Sequence, residues 1–441
     1  MPPRHLLAAV ISSAALLGAI APVAAADPPW SPPTAIPGAG NGPAAVTARG
    51  HAATLTPSNR SQPPNTASQL VRLDPATGAV LSTTGVDLAD AAIAAYASDA
   101  IAVAGSSIGP SGTVDDQSRV RAGTTSGAGG TPTLKTLSGT QDQNVTALVG
   151  NARGDLALST RGGRSRLIYL RRKGSSTFTR VLTISVSSTA RGVTVALSPD
   201  GQLLVAWEDQ HEVFARHRGV SGTWGAVHRL GPGVQSDLQA AMDATGRMMV
   251  AWKSQRVNEG EASDPAVVSF ITAAPGHGFG TRRTIETDGQ AGASRFVGSP
   301  GVRLVVVDRD DALLCWTGFD GAHFVVRAAP IAQGHIGTRQ QLSPVGVVAV
   351  LGDIAVGGGG QALALWRSNV AGADPVPGQQ PRLFASVQAA GATSFGAPEA
   401  VGGDTIEVLN QPTALVDPVS GRSIALFADF QPTSRALVSV R

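Results

Sequence analysis

Residues 193–207 read VTVALSPDGQLLVAW, and this stretch decides the fold. An apolar run enters Ser198-Pro199-Asp200-Gly201, turns, and returns as a second apolar run ending in Trp207. Asp-Gly between two apolar runs is a hairpin signal, because these residues supply the positive φ angles that a tight turn demands. Six positions separate Gly201 from Trp207. The same spacing recurs from Gly246 to Trp252, Gly360 to Trp366, Gly421 to Phe427 and, with Asp at the turn, Asp310 to Trp316. Weaker copies run from Gly50 to Thr56, Asp99 to Gly105 and Gly154 to Thr160. Successive units end 45 to 64 residues apart. Repeats of this length, made of short strands, predict an all-β fold: a β-propeller of four-stranded blades. Eight blades are expected, with seven as the alternative.

Within each unit the second run is apolar at every position, as in Leu203-Leu204-Val205-Ala206 and Met248-Met249-Val250-Ala251. A strand with one wet face would alternate. An unbroken apolar run this short indicates burial on both faces, as between neighbouring blades. A further six-residue spacing follows, at Phe178 and Ile184, Trp224 and Leu230, Phe279 and Ile285, Ile336 and Leu342, and Phe395 and Val401. It marks the outermost strand of each blade. The eighth unit carries none, whereas Trp30 and Ile36 show the spacing near the other end. Residues 29–37 are therefore expected to complete the blade formed by 412–441, which leaves no long bare strand edge. The other blades are expected at 44–87, 90–139, 144–186, 192–231, 237–287, 302–343 and 352–402.

Residues 1–26 read as a secretory signal peptide, with Arg4, an apolar core from 6 to 20 and Ala24-Ala25-Ala26 before Asp27. The core of 15 residues is short of the roughly 20 that a membrane span needs. A secreted or envelope protein without a membrane span is expected, with 27–441 forming one propeller domain and acting as a monomer. Its 33 basic against 31 acidic groups argue against nucleic acid as a partner. The only cysteine, Cys315 in ALLCW, allows no internal disulfide and reads as a small buried hydrophobe.

In a propeller the connections into each innermost strand open on one face with the loops after the second strand. The long insertions at 57–68, 106–118, 253–265 and 367–381 follow second strands, so they map to that face. The axial mouth there is expected to be ringed by Asn41, Asp90, Asp142, Arg191, Asp237, Arg295, Asp353 and Asn410. Asp90, Asp142, Arg191, Asp237, Arg295 and Asp353 are its candidate binding residues, since polar groups around a concave opening are the default site; capping of the channel end is the alternative. Just past the repeat aromatics stand Glu208, Lys253, Thr317 and Arg367, with Arg161 in the third unit. Three of these are cationic, but Glu208 lies among them, so ordinary surface charge is the simpler reading. The tryptophans at 207, 252, 316 and 366 end buried strands and read as core rather than as a sugar-stacking ring.

One charge run, Arg161 to Arg166 and Arg171-Arg172-Lys173, is suited to an acidic polymer, although its alternation also fits a hairpin. His211 and His217 have no third ligand nearby, and Asp308, Asp310 and Asp311 lack the spacing of a calcium loop. No Gly-rich phosphate loop or metal cluster is present in the sequence, so no cofactor is expected. Asn59 and Asn144 begin formal glycosylation sequons.

SPDGQLLVAW followed by an aromatic-Gly strand resembles the sialidase-like repeat propellers exported by many actinobacteria, over most of 144–441. The resemblance implies the fold far better than an activity. True sialidases carry Ser-x-Asp-x-Gly with an aromatic three residues on, a Tyr nucleophile paired with Glu, and three Arg for the substrate carboxylate. Ser198-Pro-Asp200-Gly201 lacks the spacer, and the two tyrosines, Tyr96 and Tyr169, have no evident Glu partner. No catalytic residue carries over. The expectation is a non-catalytic module that binds an extracellular protein or glycan, the alternative being a sialidase-like glycoside hydrolase. An enzyme would need paired carboxylates across the mouth, for which Asp90, Asp142 and Asp237 are the raw material.

Overall fold

The computed structural model describes residues 29–37, 42–56, 68–107, 119–125, 130–187, 190, 192–233, 237–254, 266–287, 301–368, 382–402, 411–429 and 435–441. They build eight antiparallel sheets. The segment 1–26 expected to be a signal peptide, most of each long insertion, and Asn59 lie outside the described residues.

Blade 4 shows the plan. Its innermost strand is Val193–Leu197, followed outward by Leu203–Asp209, Glu212–Arg218 and Trp224–Pro232. Val193 pairs with Trp207 and Leu197 with Leu203, so the quoted stretch is one hairpin. Its turn differs from a two-residue Asp-Gly hairpin. Gly201 alone takes a positive φ, +92°. Gly201 N donates to Ser198 O (3.1 Å) and Ser198 N to Gln202 O (3.1 Å), so three residues form the loop. Asp200 contributes through its side chain, accepting from Ser198 Oγ and from Gln202 Nε2 (3.0 Å).

The same logic recurs with other residues. Asn151 Oδ1 accepts from the amides of Gly154 and Asp155 (3.0 and 2.9 Å), and Asp243 Oδ1 from those of Thr245 and Arg247 (both 2.9 Å). A short polar side chain before the turn satisfies amides that the ladder leaves unpaired.

The second strands are buried on both faces. Leu203, Leu204, Val205 and Ala206 are each 0% exposed. Alternate residues serve opposite neighbours. Leu203, Val205 and Trp207 pack with Ile168 and Leu170 of blade 3. Leu204 and Ala206 pack with Met248, Val250 and Trp252 of blade 5. Each seam between adjacent blades holds one such cluster, so the core is a ring of clusters around the axis. Cys315 lies in one of them, fully buried, its thiol pushed up by burial.

The ring closes as the spacing predicts. Thr34–Ile36 pairs with Arg435–Val440 as the outer strand of the last blade, Thr34 opposite Val438 and Ile36 opposite Ala436. Ser31 adds three bonds: its amide donates to Val440 O (2.8 Å), its Oγ accepts from Val440 N (2.9 Å), and its carbonyl accepts from Ser439 Oγ (2.6 Å). Blades 6 and 7 differ in detail from the sequence reading. The outer strand of blade 6 is split into His335–Ile336 and Gln340–Gln341, both paired with Phe324–Ala332, with Gly337 N still donating to Pro330 O (2.8 Å) between them. The inner strand of blade 7 begins at Ala349, three residues before the expected 352.

Candidate functional site at the axial mouth

Of the expected ring, Asn41, Arg191, Arg295 and Asn410 lie outside the described residues. The four aspartates lie within, and they divide into two pairs. Asp90 and Asp142 are exposed, at φ +46° and +55°. Asp142 lies on the connection into blade 3, whereas Asp90, expected ahead of its strand, is the second residue of the inner strand Ala89–Tyr96, at the bulge between Ala89 and Ala92. Aspartate tolerates this left-handed conformation better than most residues, so it suits both positions. Asp237 and Asp353 are instead joined by a residue absent from the expected ring, Arg303.

Arg303 sits on the innermost strand of blade 6, Val302–Val306. Its Nε lies 3.3 Å from Asp353 Oδ1 and its Nη1 3.9 Å from Asp237 Oδ2. Each carboxylate also receives a backbone amide from the next blade. Val302 N donates to Asp237 Oδ2 (3.1 Å), and Ala414 N to Asp353 Oδ2 (3.0 Å). The chain of contacts therefore runs through the inner strands of blades 5, 6, 7 and 8. The expectation that Asp353 precedes its strand is corrected here. It is the fifth residue of Ala349–Val356, beside a bulge between Leu351 and Asp353 that turns its carboxylate toward Arg303. Burial is the largest influence on Asp353 and raises its pKa; the Arg303 charge and the amides of Ala414 and Ile354 oppose it without cancelling it.

Beside Arg303 the channel holds a cavity of about 590 Å³, with Thr146, Thr194, Asp237 and Gln239 among its lining. That size suits a small ligand. The cavity's charged lining among the described residues is one carboxylate, Asp237, and one guanidinium, Arg303, and the threonines and Gln239 add neutral donors and acceptors. The arrangement can hydrogen-bond a polar ligand. Among the described residues no three His, Cys, Asp or Glu side chains converge as metal ligands would.

The outer set of charges does not converge either. Lys253 Nζ donates to Thr317 O across the seam between blades 5 and 6 (2.7 Å), while Arg161 is exposed and Glu208 buried. Trp252, Trp316 and Trp366 are 0% exposed and belong to the core. Tyr169 is buried, with its hydroxyl donating to Ser138 O (2.6 Å), and Tyr96 lies beneath the Arg171 guanidinium at 5.3 Å. Both tyrosines thus lie between blades 2 and 3. His217 bonds Gln202 Oε1 at 2.8 Å, and burial lowers its pKa.

Two residues escaped sequence reasoning. Arg303 carried a signal, as the one charged residue within VRLVV. Glu286 carried less, being a glutamate after the outer-strand residue Ile285. It is buried, accepts from Trp316 Nε1 (2.8 Å) and the Phe319 amide (3.0 Å), and pairs with Arg327 at 2.5 Å.

No family model matches the chain, and no curated protein matches it by sequence. Solved structures do. The chain is similar to Sqt1 of Saccharomyces cerevisiae, at 9% identity over 92% of this chain and 97% of that one, with a TM-score of 0.54. It is similar also to the WD40 domain of SCAP from fission yeast, at 9% identity over 93% and 98%, with a TM-score of 0.51. It is an eight-bladed propeller. A polysaccharide lyase, ulvan lyase, aligns at 10% identity over 83% of this chain and 95% of that one, with a TM-score of 0.46. The likenesses to Sqt1 and to the WD40 domain show the fold and leave activity open. The sialidase-like resemblance is supported in its architecture alone.

Proposed function

We propose that the chain is an exported, non-catalytic binding module, a monomeric propeller whose loop-bearing face takes a protein or glycan outside the cell. The observation that carries this reading is the engagement of the inner-ring acids. Asp237 and Asp353 share Arg303, and each accepts an amide of the next blade. Groups held in this way are suited to fixing the mouth's shape. A general acid and base need access to a reacting atom. The burial of Tyr169 and the stacking of Tyr96 under Arg171 support the same reading, since a sialidase-type nucleophile would have to face the mouth. Export rests on the signal-like segment at 1–26.

The test is glycan-array binding and envelope crosslinking with purified 27–441, alongside hydrolysis assays on the sugars that bind. Binding without turnover supports the module. Turnover lost on replacing Asp90, Asp142 and Asp237 by Asn, with folding intact, overturns it in favour of a glycoside hydrolase.

A further inference from the structure

The seam between blades 2 and 3 holds a cleft of about 200 Å³ among the outer strands, away from the inner strands that line the Arg303 channel. It is built from the third strand of blade 2, Arg119–Thr124, its outer strand, Thr133–Gln141, and the turn after Arg171 in blade 3. Two cations line it, Lys135 and Arg171, with hydroxyls including Thr124, Thr133 and Thr177, and one aromatic wall, Phe178. Among the described residues no acidic side chain lines it.

Both cations are held in place by neutral groups. Lys135 Nζ donates to Ser176 O (3.4 Å) and Arg171 Nε to Ser175 O (2.6 Å), while Arg171 also stacks on Tyr96. Neither has a carboxylate partner among the described residues. Arg180 extends the charge along the outer strand of blade 3, opposite Tyr169 and beside Gly139. Lys173 follows at the turn, outside the cleft lining, with its amide donating to Asp155 Oδ1 (2.8 Å). The surplus is local, since the whole chain is near neutral, with 34 basic against 31 acidic groups.

The geometry points to a binding site for an acidic polysaccharide, with a sulfate or carboxylate of one sugar residue set between Lys135 and Arg171. Fixed cations without counter-charge attract an anion, and preorganised donors make the hydrogen bonds charge-assisted. The surrounding hydroxyls match the hydroxyls of a sugar ring, and Phe178 offers it an apolar wall. The absence of acids from the lining disfavours cationic ligands. This inference rests on the reading of the chain as a binding module, but it moves the contact from the axial mouth to an outer seam.

The experiment measures affinity of purified 27–441 for a heparin-derived oligosaccharide, an oligogalacturonate, neutral dextran and poly-glutamate. The variants are Lys135→Gln/Arg171→Gln and, as a charge-matched control on the far arc, Arg283→Gln/Arg339→Gln. One or both acidic sugars should bind, and dextran and poly-glutamate should not. The cleft variant should lose about tenfold for each cation removed, as for a lost charge-assisted bond. The control should stay within about twofold, as surface charges are worth little. Preference for sulfate or for carboxylate identifies the group bound. Equal losses in both variants, or poly-glutamate binding as tightly as the sugars, overturn the site. Should Arg171→Gln unfold the protein through the lost Tyr96 contact, Lys135→Gln/Arg180→Gln decides instead. Failure of every polyanion overturns this cleft while leaving glycan-array and crosslinking hits to judge the module.

Discussion

Two enclosed carboxylates are driven in opposite directions by their surroundings. At Asp353 burial outweighs Arg303 and the backbone amides, so its pKa stands above the ordinary aspartate value. The folded state then carries a penalty for the charged form at neutral pH, relieved as pH falls through the raised pKa. Relative to Asp353→Asn, the wild type should therefore gain stability between pH 7 and about 4. Denaturation midpoints across that window measure it, and a flat or falling difference would mean that Arg303 dominates.

At Glu286 burial pushes the other way from the outcome. Bonds from Trp316, Arg327 and the Phe319 amide outweigh it, and the pKa is lowered. Its contribution is present above the ordinary glutamate value, about 4.3, and lost as pH falls through the depressed one. Glu286→Gln should cost about 1.5–3 kcal/mol at neutral pH, as for a charged hydrogen-bonding partner, and an unchanged urea midpoint would refute it. The site is tight: a Cβ at Gly318 would lie 2.2 Å from Glu286 Oε1.

The element that carries the fold is the second strand of each blade, and its environment was legible because burial on two faces leaves an unbroken apolar run. Trp252 ends such a run at 0% exposure with Nε1 donating to Pro232 O (2.9 Å). Trp252→Ala should cost about 3–5 kcal/mol, read from chemical denaturation. Trp207, 6% exposed and stacked on Phe214 at 5.8 Å, should cost less on the same change. Turn chemistry was legible only in part. Gly201 announced the positive φ, but Ser198, whose Oγ accepts from Gln202 N (2.8 Å), gave no comparable sign. The site was harder still. Asp353 could be placed near the axis, yet its orientation depends on a bulge, and its partner Arg303 lies 50 positions away in sequence. The cleft at the second seam joins segments from two blades, of which only the run at 171–173 had drawn attention. Such pairings depend on how blades meet, and no local pattern encodes that.

At the scale of the ring, stability depends on the last seam. The clusters at each seam are alike, so the ring is held as strongly as its weakest junction allows. The closing blade is the one whose strands come from both ends of the described chain. Without 29–37, Arg435–Val440 would lose its outer partner strand while keeping Ser423–Asp429, Ser31's three bonds would go, and Ile36 would leave the cluster it shares with Val71, Leu426 and Val438. An unpaired edge of that kind pairs readily with other chains. Deleting 27–40 should therefore lower the melting temperature and promote concentration-dependent aggregation. A synthetic peptide spanning 29–37, added to the deleted protein, should restore part of the lost melting temperature, because binding to the folded state stabilises it by mass action. Restoration by that peptide and not by a scrambled one assigns the effect to strand pairing. A deletion that melts like the full chain would mean that the remaining three strands of the last blade hold the ring closed unaided.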